Sequence, residues 1–255
     1  MKIFKLILKQ KIIKIISLLP DKILEKSEKA IMISRGKGFN FSNYEIFKNV
    51  LSLLKNIKTF VDIGAHDGVY TDFILKEFPN SKGFLFEPDK IKFNLLKKKY
   101  KKKNIIISNY ALSNRKQITY LYSNKIGSPL GSLYKRRLEH INIRFNKIQK
   151  IKTFKMIDYY KKKINSVVDF CKIDIEGNEL NCLIGFEKSL KLFRYIQFEF
   201  NGCNIDSKTF FKDFWYFFKK QKFNIYRISP YGPRLIKNYS DEEEFFGMNN
   251  FIAEN

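Results

Sequence analysis

Residue types that can bind a nucleoside occur where apolar runs of the sequence end. Residues 59–71 read TFVDIGAHDGVYT, in which Gly64 permits a sharp turn and Gly68 lets a ligand approach the following helix. Glu87 ends the next apolar run, in the segment FLFEPDK at residues 84–90. An acid at the carboxyl end of a second parallel strand can accept hydrogen bonds from both hydroxyls of a ribose. Together the turn and the acid predict a nucleoside site.

The spacing of the two glycines distinguishes between nucleoside classes. A dinucleotide fingerprint needs three glycines in the order G-x-G-x-x-G, and this turn has only Gly64 and Gly68. The carboxylates of Asp62 and Asp67 would repel a diphosphate, but they suit a ligand that carries sulfonium and ammonium groups. The charges therefore favour S-adenosylmethionine (SAM) over NAD. For the turn alone, an α/β unit in which both acids only cap a helix remains open, and Glu87 decides for nucleoside binding.

The elements that must position these residues alternate between strands and helices. Apolar runs typical of buried strands occupy residues 60–63, 84–86, 104–108, 167–173 and 195–200. Residues 224–229 and 250–254 predict a closing antiparallel pair, and the aromatic stripe of residues 210–223 predicts a helix that packs on the core. A chain of 255 residues with 44% hydrophobic residues can bury one such core. The pattern predicts a single α/β domain.

Four motifs in a fixed order make the chain similar to a known family. The sequence VDIGAHDGVYT is followed by FEPDK, YALSN and KIDIEGNEL. With these motifs, residues 57–255 resemble the FkbM-type family of SAM-dependent methyltransferases. The resemblance implies a Rossmann-like class I domain with a seven-stranded, mostly parallel sheet and helices on both faces, preceded by an N-terminal helical segment at residues 1–56. It also implies SAM as the cofactor and methyl transfer to oxygen, often to a hydroxyl of a sugar or a natural product.

Matched residue by residue, the motifs imply which side chains bind the cofactor. Asp62, Gly64 and His66 would line its methionine end, Glu87 would bind the ribose, and Asp174 would lie beside the transferred methyl. Three residues, at positions 109, 111 and 112, would flank the adenine. The complete implied set is Asp62, Gly64, His66, Gly68, Glu87, Asn109, Ala111, Leu112 and Asp174. His66 stands where the family commonly has asparagine.

The candidate catalytic bases are acids at the ends of the fourth and fifth strands. Transfer to a hydroxyl requires alignment of the acceptor with the methyl group and uptake of one proton. The candidates are Asp174, Glu176 and Glu199, and Asp174 is favoured because it ends the fourth strand beside the expected methyl. His66 is a weaker candidate. Asp174 and Glu199 could also hold a divalent cation, but nothing in the sequence requires one and no metal is predicted.

The formal net charge of +24 raises the alternative of a nucleic-acid-binding or RNA-modifying protein. Only eight of the 49 basic residues are Arg, which is the better bidentate reader of phosphates and bases, and no RNA-binding motif is recognisable. The densest basic run fits a helix whose lysines face water and whose apolar residues face the sheet, namely Ile91, Phe93, Leu95, Leu96 and Tyr100. We therefore predict no nucleic-acid partner.

Cysteine usage and the first 30 residues bear on location. Three Cys residues without a C-x-x-C pair and two distant His residues predict neither disulfides nor a zinc site, as in a reduced cytosol. Lysines recur through the apolar N-terminus, so neither a transmembrane helix nor a secretory signal is predicted. We predict a cytoplasmic protein. For residues 1–19, a helix packed on the domain is favoured, and peripheral contact with the inner face of the membrane stays open.

The least regular segment, residues 121–149, is predicted to be a flap over the acceptor site, although an ordinary surface hairpin stays open. Four of the eight Arg residues lie at 115–144, where they could meet a phosphate or carboxylate of the acceptor. We expect that acceptor to be a sugar hydroxyl in a surface glycan or its activated precursor. A non-catalytic SAM-binding module remains the alternative, and the sequence does not fix the oligomeric state.

Overall fold

The computed structural model describes residue 16 and residues 19–38, 43–101 and 103–255. The predicted membrane contact of residues 1–19 falls almost entirely outside this part of the chain and stays a prediction. Among the described helices, none combines the length and the hydropathy that crossing a bilayer requires.

The helices precede and follow the strands in the order expected for an α/β domain. In chain order they are α1 (Asp21–Ser34), α2 (Asn43–Leu51), α3 (Val69–Glu77), α4 (Lys90–Lys99), α5 (Met156–Tyr159, continued as a π-helix over Tyr160–Ile164), α6 (Glu179–Ile184), α7 (Cys203–Ser207) and α8 (Phe211–Lys220). Short 3-10 helices occupy Glu139–Ile141, Glu187–Leu192 and Asp241–Glu243. Helix α2 belongs to the core, because Phe47 and Val50 are fully buried. The predicted boundary at residue 57 stays a prediction.

The strands form two sheets. In chain order they are β1 (Thr59–Ile63), β2 (Lys82–Phe86), β3 (Ile105–Ser108), β4 (Ala111–Leu112), β5 (Gln117–Ser123), β6 (Lys147–Phe154), β7 (Val168–Ile173), β8 (Phe193–Glu199), β9 (Asn224–Ser229), β10 (Gly232–Leu235) and β11 (Asn250–Glu254). The main sheet has the order β10-β9-β11-β8-β7-β1-β2-β3, and the second has the order β4-β6-β5.

The main sheet confirms the predicted class I architecture. Strands β8, β7, β1, β2 and β3 are parallel neighbours, and β11 pairs antiparallel with both β8 and β9. The predicted closing pair is therefore present, and β10 adds an eighth strand at the edge. Every residue of β1 and β7 is buried, as expected for central strands covered on both faces. One core cluster contains α5, α6 and α8, and the other contains α2 and α3.

Helix α4 differs from its predicted orientation. Leu96 and Tyr100 are buried, but the side chains of Ile91 and Leu95 are 57% and 40% exposed. The carboxylate of Asp89 caps the helix by accepting from the backbone N–H groups of Ile91 and Lys92, which fixes where the first turn begins. From that start, positions 96 and 100 share the stripe toward the sheet, and positions 91 and 95 lie on the neighbouring stripe. The prediction that all the apolar residues of this helix face the sheet was wrong.

Candidate functional site

The predicted site residues meet at one edge of the main sheet, where parallel strands end at their carboxyl termini. Gly64 follows β1, Glu87 follows β2, Asp174 follows β7 and Glu199 ends β8. Two adjacent cavities open at this edge, and both are lined by Gly64, His66, Pro129, Asp174 and Glu176. This is the edge at which α/β proteins with open sheets bind ligands.

The turn after β1 is locked to the strands on either side. The backbone N–H of Gly64 donates to the carbonyl of Phe86 at 2.9 Å, and the N–H of Asp174 donates to the carbonyl of Ile63 at 3.0 Å. Gly64 has a φ of 82°, and a Cβ placed on it would overlap the carbonyl oxygen of Asp174. Only glycine fits this position, because both the left-handed backbone and the close approach of β7 exclude a side chain.

Gly68 has a packing role, and its contact with a ligand stays a prediction. Its φ is 79°, it precedes α3, and it lines neither cavity. A Cβ at this position would overlap the hydroxyl of Tyr100, which donates to the carbonyl of Gly68 at 2.7 Å. The glycine therefore lets α4 approach the beginning of α3.

Glu87 lines the first cavity with a carboxylate that the backbone holds in place. One carboxylate oxygen accepts from the N–H of His66 at 2.8 Å, and the other accepts from the N–H of Asp89 at 2.7 Å. Burial raises the pKa of Glu87 from 4.5 to about 7, and the two N–H donors limit that rise. The carboxylate has a fixed orientation and unused lone pairs, which suits an acceptor of two ribose hydroxyls.

The first cavity has an apolar wall opposite Glu87. The wall consists of Ile63, Phe86, Ala111, Leu112, Leu121 and Leu133. Leu121 and Leu133 were missed by sequence reasoning, although the alternation in QITYLYS places Leu121 on the face of β5 opposite to Tyr120. Such a wall can hold a flat apolar ring system like adenine.

Asn109 and Asp62 do not line either cavity. The amide of Asn109 donates to the carbonyls of Glu87 at 2.9 Å and Pro88 at 3.0 Å, so it supports the strand end from behind. Asp62 is fully buried, and one of its carboxylate oxygens accepts from the hydroxyl of Thr71 at 2.6 Å. Its other oxygen has no partner within the part of the chain that the structure describes, and burial raises its pKa. Direct contact of either residue with a cofactor stays a prediction.

Three carboxylates form a cluster where the two cavities meet. Suitable oxygens of Asp174, Glu176 and Glu199 lie within 4.8 Å of one another. Burial would raise the pKa of Asp174, but the ammonium of Lys172, 2.9 Å from its Oδ2, holds that pKa below its usual value. Burial and the charges of Asp174 and Glu176 raise the pKa of Glu199 well above its usual value. The cluster thus places a carboxyl group with a lowered pKa beside one with a raised pKa.

Glu176 is held in place largely by residues 124–137, a segment that crosses the site. Its carboxylate accepts from Arg136 at 2.6 Å and from the thiol of Cys203 at 2.7 Å, and its carbonyl accepts from Ser132 at 2.6 Å. Burial and the neighbouring charge of Asp174 nevertheless raise the pKa of Glu176. Glu176 thereby anchors residues 124–137, and its role as a base stays a prediction.

The distances within the cluster would allow a divalent cation to bind. Lys172 and Arg136, however, already supply two positive charges to the three carboxylates. The absence of a metal requirement stays a prediction. Lys172 itself was missed by sequence reasoning, although its position two residues before Asp174 puts it on the same face of β7.

Residues 124–137, the crossing segment, connect the two sides of the first cavity, as the predicted flap over the site would. We call the first cavity the cofactor cavity below. At one side the N–H of Gly127 donates to Asp89 at 3.2 Å, and the imidazole Nε2 of His66 lies 3.2 Å from the carbonyl of Gly127. Pro129 lines both cavities. At the other side Arg136 is buried between Glu176 and Asp206. Arg136 is therefore paired within the protein, and contact of the arginines at 115–144 with an acceptor phosphate stays a prediction.

The second cavity is polar, and its lining includes all three carboxylates of the cluster. In addition to the shared residues it is lined by Asp67, Tyr70, Lys172, Glu199 and Asn250, among others. The shared edge places Asp174 between a cavity with an apolar wall and one rich in hydrogen-bonding groups. This arrangement can hold two reactants on either side of one carboxylate.

Comparisons with known proteins identify a family for this chain. A family model described as the methyltransferase FkbM domain matches residues 62–227. A search of curated proteins finds no match. Among solved structures, the chain is similar to TrmK of M. capricolum in complex with S-adenosylhomocysteine (SAH), with 12% identity, 86% of this chain and 69% of that one covered, and a TM-score of 0.47.

Two further solved structures have similar scores. The plantazolicin methyltransferase BpumL in complex with SAH has 12% identity, 100% of this chain and 98% of that one covered, and a TM-score of 0.46. An O-methyltransferase from Bacillus cereus in complex with SAH has 12% identity, 92% of this chain and 91% of that one covered, and a TM-score of 0.45.

Proposed function

The chain belongs to the FkbM methyltransferase family and is a SAM-dependent methyltransferase; from this premise we propose that it methylates a hydroxyl of a sugar in a surface glycan or its activated precursor. The observation that carries the proposal is the position of Asp174, an ionised carboxylate that lines both cavities. When bound, SAM supplies an electrophilic methyl group on a sulfonium. A carboxylate at the junction can take the proton of an attacking hydroxyl.

The residues of the first cavity fit SAM. Glu87 offers a buried, oriented carboxylate for the ribose, and the apolar wall with Ala111 and Leu112 fits the adenine. Gly64 keeps the floor of the cavity free of a side chain. His66 contributes its backbone N–H to Glu87 and its ring to the flap, so it positions the ribose acid and the cover together.

Asp174 and Glu199, which lie where the two cavities meet, have different roles in proton transfer. Lys172 keeps Asp174 ionised, which leaves its carboxylate able to accept a proton from the acceptor oxygen as the carbon–oxygen bond forms. The raised pKa of Glu199 favours its neutral form, which can donate a hydrogen bond to Asp174. Because the leaving sulfide needs no acid, alignment and this one proton transfer are what the protein must supply.

The lining of the second cavity supports a neutral, hydroxyl-rich acceptor. Its carboxylates can accept hydrogen bonds from sugar hydroxyls, and Lys172 is already paired with Asp174. A phosphate beside the reacting hydroxyl would be repelled by these acids. We therefore propose that the sugar ring enters the second cavity and that any phosphate of an activated precursor stays outside it.

We also propose a cytoplasmic location. The three cysteines, Cys171, Cys182 and Cys203, are free and buried, which supports a reducing compartment. Fractionation of cells with an antibody against the chain tests this point: recovery from an oxidising, extracytoplasmic fraction would contradict it.

Labelled SAM incubated with the protein and an extract of its own cells tests the proposed acceptor. We expect the label in the polysaccharide or sugar-nucleotide fraction, in a form that alkali does not release, as an ether requires. Asp174→Asn serves as the control for background transfer. Label in RNA or protein, with none in the sugar fractions, would overturn the sugar acceptor. SAM binding without transfer to any fraction would favour a non-catalytic module.

A further inference from the structure

One stretch of the chain carries most of the net positive charge. Residues 90–157 contain 19 Lys or Arg residues and a single acid, Glu139, which gives this stretch +18 of the net charge of +24. In the structure the stretch comprises α4, the edge strand β3 and the whole second sheet. Helix α4 packs on β3, so these elements lie together at one end of the main sheet. The charge is therefore concentrated in space as well as in sequence.

The outer face of the second sheet combines this charge with exposed apolar side chains. We define the basic face as Lys90, Ile118, Tyr120, Ile148, Lys150 and Lys152. In the antiparallel register Ile118 lies opposite Lys152, and Tyr120 lies opposite Lys150, so these four side chains share one face. Ile118, Tyr120 and Ile148 are 60%, 49% and 59% exposed.

The inner face of the same strands and helix α4 define where the basic face lies in the molecule. Leu121 and Ile151, on the inner face of the same strands, pack with Ala111, and Leu121 walls the cofactor cavity. Lys90, at the first turn of α4, lines one surface groove together with Ile118, Lys150 and Lys152. The face is therefore continuous from the second sheet to α4 and lies one sheet thickness from the cofactor cavity.

Charge restricts what can cover this face. Strands β5 and β6 contain no acid, and the chain's own first 20 residues contain five lysines and no acid. A second copy would present the same excess of positive charge. Like charges disfavour both of these occupants, so the complementary partner is anionic and comes from outside the chain.

The mixture of residue types distinguishes between anionic partners. Lysines can place their ammonium groups among anionic lipid headgroups while isoleucine and tyrosine side chains enter the boundary with the acyl chains. Nucleic acid would instead call for arginine forks and stacked aromatics, and Tyr120 is the only exposed aromatic side chain of β5 and β6. We propose that the basic face docks the protein on the surface of an anionic lipid bilayer.

Sedimentation of the full-length protein with vesicles tests this docking. We expect binding to vesicles of phosphatidylcholine with about one third phosphatidylglycerol and little binding to phosphatidylcholine alone. Lys150→Glu with Lys152→Glu should reduce partition onto the anionic vesicles by about tenfold or more, since each basic residue near the surface contributes substantially to the attraction. Lys191→Glu with Lys220→Glu, which are exposed but lie outside the basic face, should stay within about twofold of wild type.

A second variant separates lipid from nucleic acid. Ile118→Thr with Ile148→Thr keeps every charge and the β-branched shape of the strands, and it should reduce vesicle binding severalfold while leaving binding to a short single-stranded RNA unchanged. An unaltered affinity for SAH in all variants verifies folding. The proposal is overturned if Lys150→Glu with Lys152→Glu binds anionic vesicles like wild type. It is also overturned if the threonine variant keeps full vesicle binding, or if the RNA binds more tightly than the vesicles.

Discussion

Glu87 and Asp174 end the two strands that flank β1, yet the protein holds their carboxylates in different ways. Glu87 accepts from two backbone N–H groups, and burial leaves its pKa at about 7. Asp174 has the side-chain ammonium of Lys172 at 2.9 Å, and its pKa lies below the usual value. Backbone donors fix the orientation of a carboxylate, whereas a neighbouring cation fixes its charge. At the Glu87 end of the edge the protein fixes the orientation of a carboxylate, as binding requires. At the Asp174 end it fixes the ionisation of a carboxylate, as proton transfer requires.

The largest effect should come from substitution of Asp174, the carboxylate that Lys172 keeps ionised. Asp174→Asn removes the proton acceptor and keeps the shape, so the rate of methyl transfer should fall by about 10²–10⁴-fold. Initial rates with labelled SAM at saturation measure this loss. Asp67→Asn removes a charge from the second cavity without touching the junction, and it should cost less than about tenfold. Equal losses in the two variants would mean that only the total charge matters.

The positions of Glu87 and Asp174 also depend on the turn at Gly64, which lies between them. Gly64→Ala forces a Cβ onto the carbonyl of Asp174 at a left-handed φ and should lower the free energy of unfolding by about 3 kcal/mol. Gly131→Ala is the matched control in the same cavity, because a Cβ there meets only ordinary contacts at 3.6 Å. Urea unfolding of both variants decides: similar midpoints would show that the turn tolerates a side chain.

Lys172 should control the pH dependence of transfer. Without its ammonium, the pKa of Asp174 rises, because the cation that opposed the effect of burial is gone. The base must be ionised, so activity is lost as pH falls through this pKa, and Lys172→Met should shift the acidic limb of kcat/KM to higher pH. Lys155→Met removes a surface lysine paired with Glu187 and serves as control. An unshifted limb in Lys172→Met would remove Asp174 from the role of base.

The smallest effect concerns Glu87 and stability. Burial raises its folded pKa from 4.5 to about 7, so the folded protein keeps a proton that the unfolded chain has released at intermediate pH. That contribution is complete below pH 4.5 and is lost as pH rises to about 7. Glu87→Gln is neutral throughout, so its Tm relative to wild type should become more favourable from about pH 5 to about pH 8. Glu77→Gln, at an exposed acid, should show no trend. A flat difference for Glu87→Gln would contradict the raised pKa.

The sequence was sufficient to predict the features of the site that depend on local chain geometry. Gly64, Glu87 and Asp174 follow apolar strands, and parallel strands bring their carboxyl ends to one edge, so their proximity could be predicted without coordinates. The closing pair of β9 and β11 was predictable for the same reason, since alternation and apolar composition define strands locally.

Features that depend on tertiary packing could not be predicted in this way. The ion pair of Arg136 with Glu176 joins residues 40 positions apart, and no local pattern specifies it. Asn109 follows its strand as expected, but its amide binds the backbone of Glu87 and not the cavity. In each case the competing partner lies on another element of the fold.

Calorimetric titration of SAH into Glu87→Ala and Asp174→Asn, side by side, tests the division between the two ends most directly. Loss of the oriented ribose acceptor should weaken SAH binding to Glu87→Ala by about 2–3 kcal/mol, which is about 30–150-fold. Asp174→Asn should bind SAH within about threefold of wild type, because its carboxylate acts on the acceptor in the transition state. If instead Asp174→Asn loses the affinity and Glu87→Ala keeps it, Asp174 is a cofactor ligand and the assignment of the two ends is wrong.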